Sequence, residues 1–180
     1  MKILECLKKS ISFLKIHTNQ SIEESNIEAN SILIEVLNLN KATLYKNYDH
    51  KIDEASQKKI EEILELRKNN IPLSYILNSH TFYNEDFYVD KNVLIPRPET
   101  ENIINDIIKY GDLIFREKNK CTFLDAGTGS GCVGITIANM RPEWNILLSD
   151  LHMNALIVAK VNSKIGKNNN INLICADWLS

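Results

Sequence analysis

No two of the four cysteines, Cys6, Cys121, Cys132 and Cys175, share a spacing that would pair them as a disulfide framework or a zinc site. Three of them sit in or beside apolar strands or the first buried helix, so they read as reduced core residues of a cytosolic protein. No apolar run is long enough to span a bilayer. In Met1 to Thr18, Lys8, Lys9 and Lys15 interrupt the apolar residues, leaving neither the continuous core nor the cleavage site of a signal peptide. A cytoplasmic location without a membrane partner is therefore expected. A net charge of −2 carries no basic excess, so no direct nucleic-acid partner is expected either. His17, His50, His80 and His152 are scattered and read as surface or cap residues. There is no internal repeat, and no low-complexity run beyond Asn168 to Asn170. What remains, 44 % apolar over 180 residues, is the composition of a globular protein with one ordinary domain or two small ones.

The stretch Thr122 to Ile137, TFLDAGTGSGCVGITI, is the most informative. It reads as an apolar strand ending in Asp125, a loop with glycine at 127, 129 and 131, and the start of a buried helix. Alternate glycines let the backbone turn through left-handed conformations and let a ligand approach the main chain. A helix N-terminus just beyond offers unpaired N–H groups. This is a nucleotide-type cofactor cradle at the first strand-to-helix turn of an open α/β sheet. Dinucleotide enzymes usually show GxGxxG; here the spacing is GxGxG, with Asp125 two residues ahead. S-adenosyl-L-methionine has no phosphate, and a carboxylate before the loop can hold its ammonium, directly or through water. Other Rossmann-like folds and a tight structural turn fit the same motif.

A second strand, WNILLSD, ends in Asp150, roughly 20 residues past the loop, where a carboxylate can accept from both ribose hydroxyls. As a plain alternative, Asp150 caps the next helix, and both roles are compatible. A third strand, INLICAD, ends in Asp177, followed by Trp178. That carboxylate can accept from an adenine amino group and the indole can pack on the ring, although ordinary loop chemistry would explain the pair equally well.

Residues 1–72 read as a helical domain. Ile3, Leu4, Leu7, Ile11 and Leu14 recur at helical spacing. Ser21 with Glu24 predicts a capping box ahead of an amphipathic Ile22 to Leu37. Asp53 predicts a cap for a helix whose Ile60, Ile63, Leu64 and Arg67 share one side, and which Asn69, Asn70 and Pro72 stop. Residues 73–98 read as a linker with a hairpin, Thr81 to Tyr83 against Phe87 to Val89 around Asn84, Glu85 and Asp86. Residues 99–180 begin with a helix from Glu99 to Arg116, with Ile103, Ile104, Ile107, Ile108 and Leu113 turned inward. Strands at Cys121, Asn145 and Ile171 then alternate with helices at Gly131 and Met153, which implies a parallel sheet.

The run LIPRPETE, Leu94 to Glu101, together with DAGTGSG and the terminal ADW, resembles the HemK/PrmC family of release factor glutamine methyltransferases. Those enzymes methylate the side-chain amide of the glutamine in the GGQ motif of peptide chain release factors. The resemblance covers almost the whole chain. It implies an α/β fold class: an N-terminal helical bundle that contributes to release-factor recognition, then the first half of a Rossmann-like methyltransferase domain with an incomplete parallel sheet. It implies that Gly127, Thr128, Gly129, Ser130 and Gly131 line the cofactor, Asp150 takes the ribose and Trp178 the adenine region. Arg97, Glu99 and Thr100 would lie near the methionine end. Residue chemistry alone accounts for that last segment differently: Pro96 and Pro98 enforce extended backbone, and Glu99 and Glu101 favour a helix N-terminus. Asn78 and Asn84 stand where the family usually has glycine, a mild change since Asn tolerates left-handed backbone.

The family's catalytic NPPY follows a fourth strand, and no Asn-Pro-Pro occurs here. No catalytic residue is therefore assigned. With three strands, the first becomes an edge that leaves Phe123 and Leu124 facing water or another chain. The chain is expected to be a truncated enzyme whose C-terminal half is a possible partner. Two other functions compete: a non-catalytic module that binds cofactor or release factor, and a fragment of a nicotinamide-dependent oxidoreductase, against which the GxGxG spacing and the IPRPET run argue.

Overall fold

A computed structural model describes residues 1–164 and 170–177. Two compact units emerge, Met1–Leu77 and Asn78–Ser180. The first contains α1 (Ile3–His17), α2 (Ile22–Leu37), α3 (Lys41–Lys46), α4 (Glu54–Lys68) and α5 (Leu73–Leu77). Its helix starts follow from local chemistry. The capping box forms: Ser21 Oγ accepts the Glu24 N–H at 3.1 Å, and the Glu24 carboxylate accepts the Ser21 N–H at 2.8 Å. Asp53 accepts the Ser56 N–H at 2.8 Å ahead of α4. Asn40 does the same for Thr43 at 2.8 Å ahead of α3, a helix too short for apolar periodicity to announce.

In α1 the buried stripe is Ile3, Cys6, Leu7, Ser10 and Leu14. Leu4, expected inside, is exposed, because it lies about 100° round the helix from Ile3. Arg67 does join Ile60, Ile63 and Leu64 on the inner side of α4. Its guanidinium pairs there with Glu28 of α2, which also accepts from Gln20 Nε2 at 2.5 Å. Arg67 Nη1 donates to the Ile71 carbonyl at 2.6 Å, which fixes the chain just past the end of α4.

The second unit contains β1 (His80–Phe82), β2 (Glu85–Phe87), α6 (Pro98–Lys118), β3 (Thr122–Ala126), α7 (Cys132–Met140), β4 (Asn145–Asp150), α8 (Met153–Ser163) and β5 (Ile171–Cys175). The hairpin differs from its sequence reading. Its turn is the two residues Tyr83 and Asn84, both left-handed (φ 50° and 63°), so the strands sit one to two residues earlier than expected. Turns of that hand match the twist of the flanking strands, and that sets the register. Asn78 is left-handed as well (φ 52°), so both asparagines adopt a backbone conformation that glycine tolerates. The Tyr83 turn is held from α6: its N–H donates to Glu101 Oε1 at 2.9 Å and its hydroxyl to Asn105 Oδ1 at 3.1 Å.

The main sheet is parallel, in the order β3-β4-β5, with Asp125 opposite Leu148 and Asp150 opposite Cys175. Buried Ile146 and Leu148 of β4 form its centre, against Ile137 of α7 and Ala159 of α8. Among the described residues β3 pairs only with β4, and Leu124 is 36 % exposed. Cys175, expected in the core, is exposed at the end of the outer strand β5. On α6, Ile104, Ile108 and Gly111 form the buried stripe. Ile103 and Leu113, expected inside, are exposed. At 3.6 residues per turn Leu113 falls on the far side of the helix, while Ile103 falls on a neighbouring stripe with Ile107, Tyr110 and Ile114. That stripe, with Phe123 and Thr122, flanks an apolar groove of about 380 Å³ along β3.

Close seating of α6 depends on one missing methyl. A Cβ built on Gly111 would stand 2.0 Å from the buried Trp144 ring. Gly111→Ala should therefore destabilise the second unit by about 1–3 kcal/mol through overpacking. An unchanged urea-denaturation midpoint would mean that α6 does not rest on Trp144.

Candidate functional site

The site is assembled where β3 ends. Past Ala126 the chain turns through Gly127, Gly129 and Gly131, with φ of 77°, 55° and 82°, conformations that favour glycine. The N–H groups of Gly127 and Thr128 donate to the Ser149 carbonyl at 2.8 and 2.9 Å, so the end of β4 holds the loop. Gly129 N–H donates to Asp150 Oδ2 at 3.0 Å, and Gly131 N–H to the Thr128 carbonyl at 2.9 Å. Four loop N–H groups are thus already bonded within the protein.

Asp125 closes the arrangement. Its Oδ2 accepts both the Thr128 hydroxyl, at 2.7 Å, and the N–H of Gly134 in the first turn of α7, at 3.0 Å. The carboxylate therefore sits at the helix N-terminus, where a dinucleotide fold would place pyrophosphate. Desolvation pushes the Asp125 carboxyl above its ordinary value and the nearby Asp150 charge pushes the same way, against the two donated bonds.

Facing the loop across a cleft of about 340 Å³ are Leu94, Pro96 and Arg97, then Thr100, Ile103 and Ile107 of α6. Asp125, Gly127, Thr128, Gly129 and Ser130 line the opposite side with Phe123, and Cys132 and Val133 line it from α7. A Cβ on Gly127 or Gly129 would meet nothing within 4 Å, so the backbone there faces open space. Gly131 lies beneath, where a Cβ would come within 2.8 Å of Ile135 Cδ1.

The fold thus brings seven expected residues to one cleft: Arg97, Thr100, Asp125, Gly127, Thr128, Gly129 and Ser130. Glu99, Gly131, Asp150 and Asp177 do not line it. Glu99 is in the first turn of α6, where its charge suits the helix dipole. Asp150 is one bond away through Gly129, and its Oδ1 accepts the His152 N–H at 2.9 Å at the entry to α8. Asp177 is exposed just past β5. Trp178 lies outside the described residues. Sequence reasoning missed the apolar lining, Leu94, Ile103, Ile107, Cys132 and Val133, which no motif marks. Burial pushes the Cys132 thiol up to about 11, so it lines the cleft as a neutral group. Among the described residues no cluster of His, Cys, Asp and Glu could hold a metal ion, and no helix is long and apolar enough to cross a membrane.

A helical unit followed by a parallel sheet, with an acid-flanked glycine loop at its first crossover, is the arrangement of a methyltransferase domain preceded by an accessory domain. Family models match both parts: residues 5–77 fit the PrmC N-terminal domain and residues 99–180 fit a model described as lysine methyltransferase. Release factor glutamine methyltransferase of Leptospira interrogans is 39 % identical over 161 residues, 89 % of this chain and 54 % of that protein. That of Mycoplasma mycoides is 37 % identical, over 88 % of this chain and 54 % of that protein. That of Bacillus subtilis is 31 % identical, over 92 % and 56 %. The chain is homologous to the release factor glutamine methyltransferases, the HemK/PrmC family, and spans about half the length of the curated relatives it matches. A solved coclaurine N-methyltransferase bound to N-methylheliamine and SAH is 14 % identical, over 97 % of this chain and 48 % of that one. Its TM-score of 0.41 is too loose to bear on the site.

The folded Asp125 carboxyl holds its proton more tightly than the unfolded one, whose ordinary value is 3.8. Its contribution to stability is therefore present below pH 3.8 and is lost as pH rises through the elevated folded value. In urea denaturation at stepped pH, wild type should lose stability relative to Asp125→Asn across that window and run parallel to it above. A difference that is flat, or that slopes the other way, would show that the carboxyl is not desolvated.

Proposed function

We propose that this chain provides the partner-recognition domain and the cofactor side of a methyltransferase acting on peptide chain release factors. The transfer is from S-adenosyl-L-methionine to the side-chain amide of the glutamine in the GGQ motif. The release factor reading is supported by relatives of that name, which match about nine-tenths of the chain. The cofactor reading is carried by one observation: a carboxylate occupies the helix N-terminus, and the N–H groups of Gly127, Thr128, Gly129 and Gly131 are bonded internally. A phosphate would meet repulsion and few donors there, whereas a cofactor with a cationic inner end fits.

Asp125 would hold the ammonium of the methionine end, with Arg97 and Thr100 beside its carboxylate and Glu99 nearby. Gly127 and Gly129 give backbone approach, over Ser130 and Gly131. Asp150 would accept the ribose hydroxyls, since each carboxylate oxygen that it already uses retains a second lone pair. Asp177 and Trp178 would serve the adenine. When bound, the cofactor supplies a methyl activated on a sulfonium. The rest is positioning and exclusion of water. The lysine methyltransferase model matches residues 99–180, the part of the chain that carries the cleft. The absence of Asn-Pro-Pro from the 180 residues favours a second reading, a fragment that binds without turning over.

Calorimetry with S-adenosylmethionine, S-adenosylhomocysteine and NAD tests the cofactor; binding of NAD alone would sink it. Asp150→Ala should weaken binding more than Asp177→Ala, since it removes the acceptor of two hydroxyl bonds, each worth roughly 1.5–3 kcal/mol to a charged group. Equal affinities for wild type and the Asp150 variant would remove that residue from the site. The 180 residues alone should transfer no labelled methyl to a release factor. Aiming the amide is worth on the order of 7–11 kcal/mol of barrier, and the loop that aims it in the family is absent here. A polypeptide or added half that carries NPPY should restore transfer. Clear turnover by the 180 residues would place the catalytic groups within them.

A further inference from the structure

Asn162 stands near the end of α8, a helix whose other buried residues, Ala155, Leu156, Val158 and Ala159, are all apolar, and the residue is 2 % exposed. Both ends of its amide are used. Oδ1 accepts the Tyr88 N–H at 2.8 Å, while Nδ2 donates to the Tyr88 carbonyl at 2.9 Å and to the Ser130 carbonyl at 2.8 Å. One side chain thus pairs with both backbone groups of Tyr88, as a neighbouring strand would, and at the same time holds the glycine loop.

From Tyr88 the chain runs to the cleft under further restraint. Val89 N–H donates to the Asn78 carbonyl at 3.4 Å, and Asn78 Nδ2 returns a bond to the Val89 carbonyl at 3.2 Å. Val93 N–H donates to the Asp90 carbonyl at 3.2 Å, and both valines are buried. The next residues, Leu94, Pro96 and Arg97, form the wall that faces the loop.

We propose that Asn162 is a positioning residue for the cofactor: it clamps the segment after β2 to the glycine loop, so that the two walls of the cleft keep one separation. The proposal rests on the reading of this cleft as the S-adenosylmethionine site. Asparagine suits the task because it offers an acceptor and two donors on one plane. Aspartate would set a carboxylate against two carbonyls. Alanine would leave the half-buried Tyr88 N–H and carbonyl and the buried Ser130 carbonyl without this partner. Those orphaned groups belong to the two walls, so the damage should appear there and not in α8.

The test compares the 180-residue chain with its Asn162→Asp and Asn162→Ala variants. S-adenosylhomocysteine affinity is measured by calorimetry, and amide hydrogen exchange is followed over residues 88–97 and 127–131. Affinity should fall by about ten-fold, the scale of one orphaned buried partner. Exchange should quicken in both segments together, while β4 keeps its protection. In wild type, ligand should slow exchange in both segments; in the variants it should slow the glycine loop alone. A variant that binds like wild type would overturn the proposal. So would uniformly faster exchange across the second unit with unchanged affinity per folded molecule, the mark of a purely structural role. If the alanine variant does not fold, the near-isosteric aspartate variant decides alone. If wild type does not bind S-adenosylhomocysteine, the proposed function fails. The clamp is then read without ligand: quickening in both segments upholds it, and quickening in one or neither overturns it.

Discussion

The cleft depends on where the Asp125 carboxylate sits. One oxygen ties the end of β3 to the loop through Thr128 and to α7 through Gly134. That position is reachable because Gly134 has no side chain: a Cβ there would lie 2.2 Å from Leu148 Cδ2 and 3.2 Å from the Asp125 oxygen. Aspartate at 125 and glycine at 134 are therefore one requirement. The helix comes close enough for its first-turn N–H to reach the acid, and the N-terminal end of its dipole offsets part of the desolvation. Remove either residue and the loop loses the brace that sets its curvature.

Much of this was readable in the sequence because it is encoded locally. The glycine loop, the three strands that run into acids, the Ser21 capping box and the Asp53 cap are all short-range chemistry. Asn78 and Asn84 were legible for the same reason, since few residue types tolerate a left-handed backbone. Patterns that demand a count along the chain were less secure. The hairpin register slipped because two left-handed residues, one of them tyrosine, make the turn where three polar ones had suggested it. Ile103 and Leu113 read as inward on hydrophobicity alone, yet Leu113 falls on the far side of α6 and Ile103 on the stripe that flanks the groove along β3.

What stayed illegible is long-range. The span from Tyr88 to Asn162 is 74 residues, and an asparagine late in an apolar helix gives no sign of which backbone it will meet. Asp125 is legible as an acid beside a glycine loop, but its bonds to Thr128 and Gly134 need three elements to converge. Cys175 looked like a core residue because its strand is apolar; only the strand order, with β5 at the outside, shows why it is exposed.

The internal bonding of the glycine loop has a kinetic side. Loops that wait for a phosphate to order them must fold around their ligand, and encounter is then slowed by the rarity of the competent shape. Here Ser149, Asp150 and Thr128 already accept from the N–H groups of Gly127, Thr128, Gly129 and Gly131. On the proposed reading of the cleft, the chain would surrender little freedom on association, and the entropy lost would belong mainly to the torsions of the incoming molecule. Capture would then be governed by diffusion into a standing cavity, and residence time would be the quantity that sequence changes around the cleft adjust.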